Sequence, residues 1–83
     1  MEPKIAIELI QTGKLSTEEI LQIGKEVKDQ KVWQEIIQQI DWSKFEINEM
    51  LKIGKEANDP NVWQKIVQQI KSGKFKQYED HRG

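Results

Sequence analysis

The sequence contains no cysteine, and histidine occurs only once. Disulfides, thiol nucleophiles and cysteine-ligated zinc sites are therefore excluded. The single histidine, His81, lies beside Glu79, Asp80 and Arg82, where we interpret it as a solvated side chain. A glycine-rich phosphate loop, paired histidines on one helical face and an acidic metal-binding loop are also missing. We therefore expect no catalytic residues, no metal and no cofactor.

Long apolar runs are missing as well. No stretch approaches the roughly 20 apolar residues that a membrane-spanning helix needs. The first residues lack the basic and apolar segments of a secretory signal, so we expect a cytoplasmic protein without membrane attachment. Thirteen basic and fourteen acidic residues give a formal net charge of −1. With 83 residues, the chain is long enough for one domain with a modest core.

What the sequence does contain is a thirty-residue unit written twice. About half of the positions match when the chain is aligned with itself at an offset of 30 residues. A fixed period of about 20–50 residues is typical of stacked repeats. We predict one helical-repeat domain over residues 1–75. The domain consists of a half repeat at 3–13, one repeat at 14–43 and a second repeat at 44–73. A polar tail at 76–83 follows it.

Each copy reads as two helices, because apolar residues recur at spacings of one, three and four. Ser16 and Glu19 form a capping-box pattern, and Gly13 and Gly73 stand where left-handed helix ends are expected. The fold class is therefore all-α, with five short helices that the short loops make antiparallel. The predicted helices are 3–12, 16–27, 30–41, 46–57 and 60–72.

Gly24 and Gly54 lie inside predicted helices, at a cost of about 1 kcal/mol each relative to alanine. Both fall on the apolar stripe. We interpret them as sites of close helix approach, with Trp33 or Trp63 filling the nearby space. A backbone opening for a ligand is the alternative.

The steps Ile23-Gly24 and Ile53-Gly54 are similar to the Leu-Gly step of a tetratricopeptide first helix. Residues 14–73 thus resemble the general class of αα-repeat solenoids, which includes tetratricopeptide-like and HEAT-like arrays. The period of 30 is shorter than that of either family, so the resemblance is to the class alone. It implies binding of proteins or peptides on a helix-lined face.

Glutamines recur at equivalent positions of the second helices. Residues 34 and 38 are four apart and therefore share one helix face beside the apolar stripe. Parallel rows of amides could hydrogen-bond an extended peptide. Alternatively, they are solvated helix-forming residues that were duplicated with the rest. The candidate partner-binding glutamines are Gln34, Gln38, Gln39, Gln64, Gln68 and Gln69.

Trp42 has no counterpart, because Thr12 and Ser72 occupy the matching positions. Aromatic residues are enriched among interface hot spots, so Trp42 is a candidate for partner contact. The alternative is that its indole folds back as a lid on the core. Phe75 and Tyr78 have the same two interpretations.

Lysines also recur, at the turns and inside the first helices of the copies. A row of lysines along a helical array could follow a phosphate backbone. Neighbouring glutamates and a pI of about 5.8 argue against a basic nucleic-acid footprint. The row consists of Lys14, Lys25, Lys44, Lys55 and Lys74.

Together these features predict a non-catalytic protein–protein interaction module, such as a small inhibitor or adaptor that acts by occlusion. A nucleic-acid-associated regulator that uses the lysine row is the alternative. The predicted helix 60–72 lacks the following neighbour that 30–41 has. A partner helix, or a second copy in a homodimer, is therefore expected to pack at the C-terminal end.

Overall fold

The computed structural model describes residues 1–76 of the chain. That part consists of α-helices, one 3-10 turn and loops, with no β-strand, so the predicted all-α class with five helices is confirmed. Tyr78, His81 and the rest of the predicted tail from residue 77 onward lie outside the described residues. The elements are α1 Pro3–Gln11, α2 Thr17–Val27, α3 Gln30–Gln39, a 3-10 turn at Trp42–Lys44, α4 Ile47–Ala57 and α5 Pro60–Ser72.

Side-chain caps fix where the helices begin. At α2, the N–H of Glu19 donates to Ser16 Oγ at 3.2 Å and the N–H of Ser16 donates to Glu19 Oε1 at 2.8 Å. The predicted capping box is therefore confirmed. At α4, where Glu46 replaces the serine, its N–H still donates to Glu49 Oε1 at 3.0 Å. Asp29 caps α3 by accepting two backbone N–H groups.

The end of α3 comes two residues earlier than predicted, at Gln39. Ile40 is extended, with a ψ of 153°. Beyond it, Asp41 caps the 3-10 turn, and Trp42 Nε1 donates to the carbonyl of Ile37 at 3.1 Å. Side chains thus satisfy backbone groups that the end of a helix leaves without partners. By contrast, Gly73 ends α5 in the predicted left-handed conformation, with a φ of 74°.

One apolar core includes residues from all five helices. α3 contacts α1, α2 and α5, while α2 also contacts α1 and α4, and α4 contacts α5. Ile10 of α1, Ile36 of α3, Met50 of α4 and Ile66 of α5 are each 0% exposed. None of the helices within residues 1–76 is long and apolar enough to cross a membrane.

The two helical glycines are sites of close tryptophan approach, as predicted. A Cβ atom on Gly24 would lie 2.8 Å from Trp33 Cζ2, and one on Gly54 would lie 2.7 Å from Trp63 Cη2. Cβ atoms in proteins essentially never come this close to another side chain. Each glycine therefore lets an indole pack directly on the backbone of the preceding helix. At Gly24 this packing places Trp33 beneath a groove beside α2.

Candidate binding groove between α2 and α4

A groove of about 340 Å³ lies between α2 and α4. Its floor is apolar and consists of Leu21 from α2, Trp33 from α3, Phe45 from the loop before α4, and Ile53 from α4. Trp33, Phe45 and Ile53 are buried in the core, whereas Leu21 is half-buried. The floor is therefore fixed by core packing, and Leu21 is its most accessible side chain.

Charged side chains surround this floor. α2 contributes Lys25, and α4 contributes Glu49, Lys52, Lys55 and Glu56, all of them exposed. Positions 49, 52 and 56 are three and four residues apart, which places them on one face of α4. Helical spacing thus places the charged residues of α4 on one face, next to the face that packs in the core.

The groove continues toward the C-terminal ends of α2 and α4 as a more polar cavity of about 580 Å³. Lys25, Trp33 and Lys55 line both parts. Lys28 and Asn58, which end α2 and α4 with positive φ angles, line only the second part. Lysines near a helix C-terminus also stabilise the helix dipole. The positions of these lysines are therefore partly explained by the stability of α2 and α4.

The lining of the groove carries a local positive charge, although the whole chain has a net charge of −1. None of the lining lysines forms an ion pair within residues 1–76. Their charges are therefore available to an external acidic group. The charged lining residues of the two parts are Lys25, Lys28, Lys52 and Lys55 against Glu49 and Glu56.

The predicted glutamine residues lie outside this groove. Gln34 is half-buried, and its Nε2 donates to Asp59 Oδ2 at 3.1 Å. Asp59 caps α5 and is only 2% exposed, so this amide links α3 to the start of α5. The Nε2 of Gln39 donates to Glu35 Oε2 at 3.1 Å on the surface of α3. The remaining glutamines of the predicted face are exposed: Gln38, Gln64, Gln68 and Gln69.

Trp42 is 7% exposed and takes part in the core. Besides the hydrogen bond to Ile37, its ring lies 6.2 Å from that of Phe45, at an interplanar angle of 59°. This placement agrees with the lid interpretation, and the indole is not offered to a partner in this conformation. Phe75 is half-buried and packs against the same core.

Next to Trp42, the exposed side chain of Asp41 is held by Ser43. The hydroxyl of Ser43 donates to Asp41 Oδ1 at 2.6 Å and its N–H donates at 3.1 Å. These hydrogen bonds, with a smaller contribution from Lys44, hold the pKa of Asp41 below its ordinary value of 3.8. This cluster stabilises the 3-10 turn and lies away from the groove.

The structure brings together only part of the predicted lysine row. Lys25 and Lys55 line the same groove, whereas Lys14, Lys44 and Lys74 lie in the connections before or after helices, outside it. Two lysines of the row therefore line the groove, and the other three lie elsewhere on the surface.

The sequence did not single out Leu21, Lys52 or Ile53 as site residues. Leu21 and Ile53 belong to the apolar stripes that predict the helices, and no local pattern distinguishes a half-buried stripe residue from a buried one. Lys52 precedes the recurrent Lys55 by one helical turn, which is the only sequence signal that links it to the site.

No group of three or more histidine, aspartate or glutamate side chains within residues 1–76 could hold a metal ion. Comparison with protein-family models, curated proteins and solved structures finds no match for this chain.

Proposed function

We propose that this chain is a non-catalytic protein-binding module whose groove between α2 and α4 holds an acidic segment of another protein. The observation that carries the proposal is an apolar floor bordered by an excess of lysines without ion-pair partners. An apolar side chain of the partner would cover the floor, and its carboxylates would lie among the lysines. By covering a surface of its partner, the chain would act as an inhibitor or adaptor.

The floor favours binding because its side chains are already ordered. Trp33, Phe45 and Ile53 are packed in the core, so little side-chain entropy is lost when a ligand covers them. Leu21 still has solvent-accessible apolar surface, and its burial contributes about 25 cal/mol per Å². The apolar part of the groove is small, which limits the affinity that it can supply alone.

The charged rim favours an acidic segment. Exposed ion pairs contribute about 0.2–1 kcal/mol each, so several pairs are needed to matter. Lys25, Lys52 and Lys55 all border the apolar floor and can act on one short segment. The same charges would speed association with an acidic partner and make binding weaken with salt.

Three features favour protein over nucleic acid as the partner. Glu49 and Glu56 stand among the lysines and would repel phosphates. Trp33 is only 2% exposed, so it provides no stacking surface for a base. Finally, three of the five lysines in the predicted row lie outside the groove.

The proposed architecture is a pair of αα-repeat units with antiparallel neighbouring helices, preceded by a half unit. In its support, α2 and α4 begin at Thr17 and Ile47, and α3 and α5 begin at Gln30 and Pro60, so each pair is 30 residues apart. The short loops favour antiparallel neighbours. Stacked helical repeats commonly present extended binding surfaces, an analogy of architecture that fits the groove.

The test uses two double variants with the same change of charge. Lys25→Glu/Lys55→Glu reverses two rim charges, and Lys14→Glu/Lys44→Glu reverses two lysines of the same row outside the groove. The probe is a short fluorescein-labelled peptide with leucines at helical spacing and glutamates elsewhere. A peptide with glutamine in place of every glutamate and a labelled oligothymidylate serve as comparisons. Fluorescence anisotropy gives the affinities, and circular dichroism checks that both variants fold.

We expect the acidic peptide to bind the unmodified chain and the control variant with affinities within about twofold of each other. Reversing Lys25 and Lys55 should weaken binding about tenfold or more, since two attractive contacts become repulsive. Equal losses in both variants, or equal binding of the glutamine peptide, would contradict the proposal. Preferential binding of the oligothymidylate with equal losses in both variants would favour the nucleic-acid hypothesis instead.

A further inference from the structure

Outside the groove, exposed apolar side chains lie on three helices, α1, α4 and α5, and those of α4 are Ile47 and Leu51. On α1, Ile5 is 47% exposed and Leu9, one turn later, is 37% exposed. Met1, just before this helix, is 66% exposed. On α5, Val67 is 44% exposed. Single exposed apolar residues are common on proteins, so their placement relative to the other helices decides what they mean.

Matching positions of α1, α3 and α5 define two edges on each helix. Residues two positions apart are separated by about 200° around a helix axis, so these edges point in nearly opposite directions. We call the side with positions 5, 35 and 65 the upstream edge, and the side with positions 7, 37 and 67 the downstream edge. The residues are Ile5, Glu35 and Lys65 upstream, and Ile7, Ile37 and Val67 downstream.

The downstream edge of α3 faces α5. Gln34, which precedes Ile37 by three positions, donates its hydrogen bond to Asp59 at the start of α5. α3 also contacts α1, so it lies between the other two helices. Each downstream edge therefore faces the next helix of the series α1, α3, α5, and each upstream edge faces the preceding one.

The edges that face a neighbouring helix are less exposed than the edges at the two ends of the series. The upstream edge is half-buried at Glu35 and Lys65 but exposed at Ile5. The downstream edge is buried at Ile37, which is 6% exposed, but open at Val67. Within residues 1–76, the upstream edge of α1 and the downstream edge of α5 are thus the two edges that lack a neighbouring helix.

The upstream edge of α1 carries apolar residues, whereas the upstream edges of α3 and α5 carry polar residues. A helix edge that faces water ordinarily carries polar residues, as the outer faces of stacked repeats do. The apolar edge of α1 therefore has the character of a contact surface. Ile5 and Leu9 correspond to Glu35 and Gln39 on α3 and to Lys65 and Gln69 on α5.

We infer that this chain associates head to tail with a second copy of itself. The upstream edge of α1 in one molecule packs on the downstream edge of α5 in another, as α5 packs on α3 within one molecule. Ile5 and Leu9 meet Val67 in this arrangement. Glu8 lies one turn from Ile5, where it also borders a cavity with Lys28 and Lys31, and Lys71 lies one turn from Val67.

The contact joins two different surfaces, so it extends into a chain of molecules unless its rotation closes a ring. Each molecule contributes one helix edge, which corresponds to a small interface and weak binding. Association should therefore rise steadily with protein concentration and should not stop at a discrete dimer.

Sedimentation velocity on the full chain over a concentration series tests this inference. Ile5→Lys places a charge in the contact surface of α1, and Val67→Lys places one in that of α5. Both side chains are exposed enough for the fold to persist. Each variant alone should remain monomeric. An equimolar mixture should recover association, because each variant supplies the edge that the other lacks, and it should stop at the dimer.

Ile47→Lys is the matched control, because Ile47 is 39% exposed on α4 and belongs to neither edge. It should associate like the unmodified chain. Circular dichroism and melting curves verify that all variants keep their helices.

A chain that is monomeric at every concentration would overturn the inference, as would a mixture that stays monomeric. Dimerisation that survives Val67→Lys but not Ile5→Lys would indicate a symmetric α1 contact and overturn it as well. The Lys25→Glu/Lys55→Glu variant should associate normally, so failure here is separate from failure of the proposed groove.

Discussion

Trp33 and Trp63 occupy the same position in the two sequence copies, and both pack on a glycine, but their surroundings differ. Trp33 is 2% exposed, whereas Trp63 is half-buried. The reason is that α3 contacts α1, α2 and α5, while α5 contacts only α3 and α4 extensively within the described residues. Matching residues thus differ in burial, which follows the number of helices that surround them.

A second difference lies at the ends of α3 and α5. After α3, Asp41 caps the 3-10 turn Trp42–Lys44, whereas α5 continues to Ser72 and ends at Gly73. The copies differ at residues 41–43 and 71–73, and the turn of the first copy covers the core with the Trp42 indole. The copies share their helix starts and differ in how their second helices end.

The largest expected contrast is between Trp33→Ala and Trp63→Ala. Removing a buried tryptophan costs about 3–5 kcal/mol, and we expect Trp33→Ala to fall in this range. Trp63→Ala should cost about 1–2 kcal/mol, because part of this ring already contacts water. Urea denaturation of the two variants measures the free energies of unfolding. Equal losses would show that the copies do not differ in packing as described.

Alanine at the two helical glycines should give a smaller contrast in the same direction. Gly24→Ala should destabilise the protein by about 1–2 kcal/mol, because the new methyl group meets a buried ring that cannot move away. At Gly54→Ala, Trp63 can rotate toward solvent, and the gain in helix propensity of about 1 kcal/mol offsets the clash. Thermal melts of both variants check this order. A Gly54→Ala variant that is less stable than Gly24→Ala would contradict it.

Gln34→Ala and Gln64→Ala compare the same amide in two environments. Gln34→Ala removes the hydrogen bond to Asp59 and should cost about 1–2 kcal/mol. Gln64 is exposed, so Gln64→Ala should change stability by less than about 0.5 kcal/mol. Chemical denaturation again gives the measurement. A similar small effect in both variants would mean that the link between α3 and α5 contributes little.

Local features of this fold were predictable from the sequence, because their signals lie within a few residues. The Ser16–Glu19 cap and the apolar stripes placed every helix to within about two residues. The role of Gln34 was not predictable, since its partner Asp59 is 25 positions away. The groove was missed for the same reason, because it exists only once α2 and α4 are side by side.

The burial of Trp42 shows how one local detail changes a site prediction. With a helix predicted to residue 41, the carbonyl of Ile37 has an expected partner within that helix. Because α3 ends at Gln39, this carbonyl is one of the groups that the helix end leaves open, and the Trp42 indole donates to it. Because α3 ends two residues earlier than predicted, Trp42 covers the core and is not an exposed contact residue.

The smallest expected effect concerns Asp41, whose counterpart in the second copy is Lys71. The Ser43 hydroxyl and N–H keep the pKa of Asp41 below 3.8, so the stabilisation is present above that pH and is lost as the pH falls through the lower, folded value. Ser43→Ala removes the largest cause, and the pKa of Asp41 should rise toward 3.8. Carboxyl carbon NMR titration measures this shift directly.

Ser72→Ala is the control for this titration, because Ser72 bonds to the carbonyl of Gln69 and to no carboxylate. It should leave the titration of Asp41 unchanged. Since Asp41 is exposed, the shift should be visible in its titration curve while the melting temperature of the protein hardly changes. A titration midpoint that is the same with and without the Ser43 hydroxyl would assign the lowered pKa to Lys44 or the backbone.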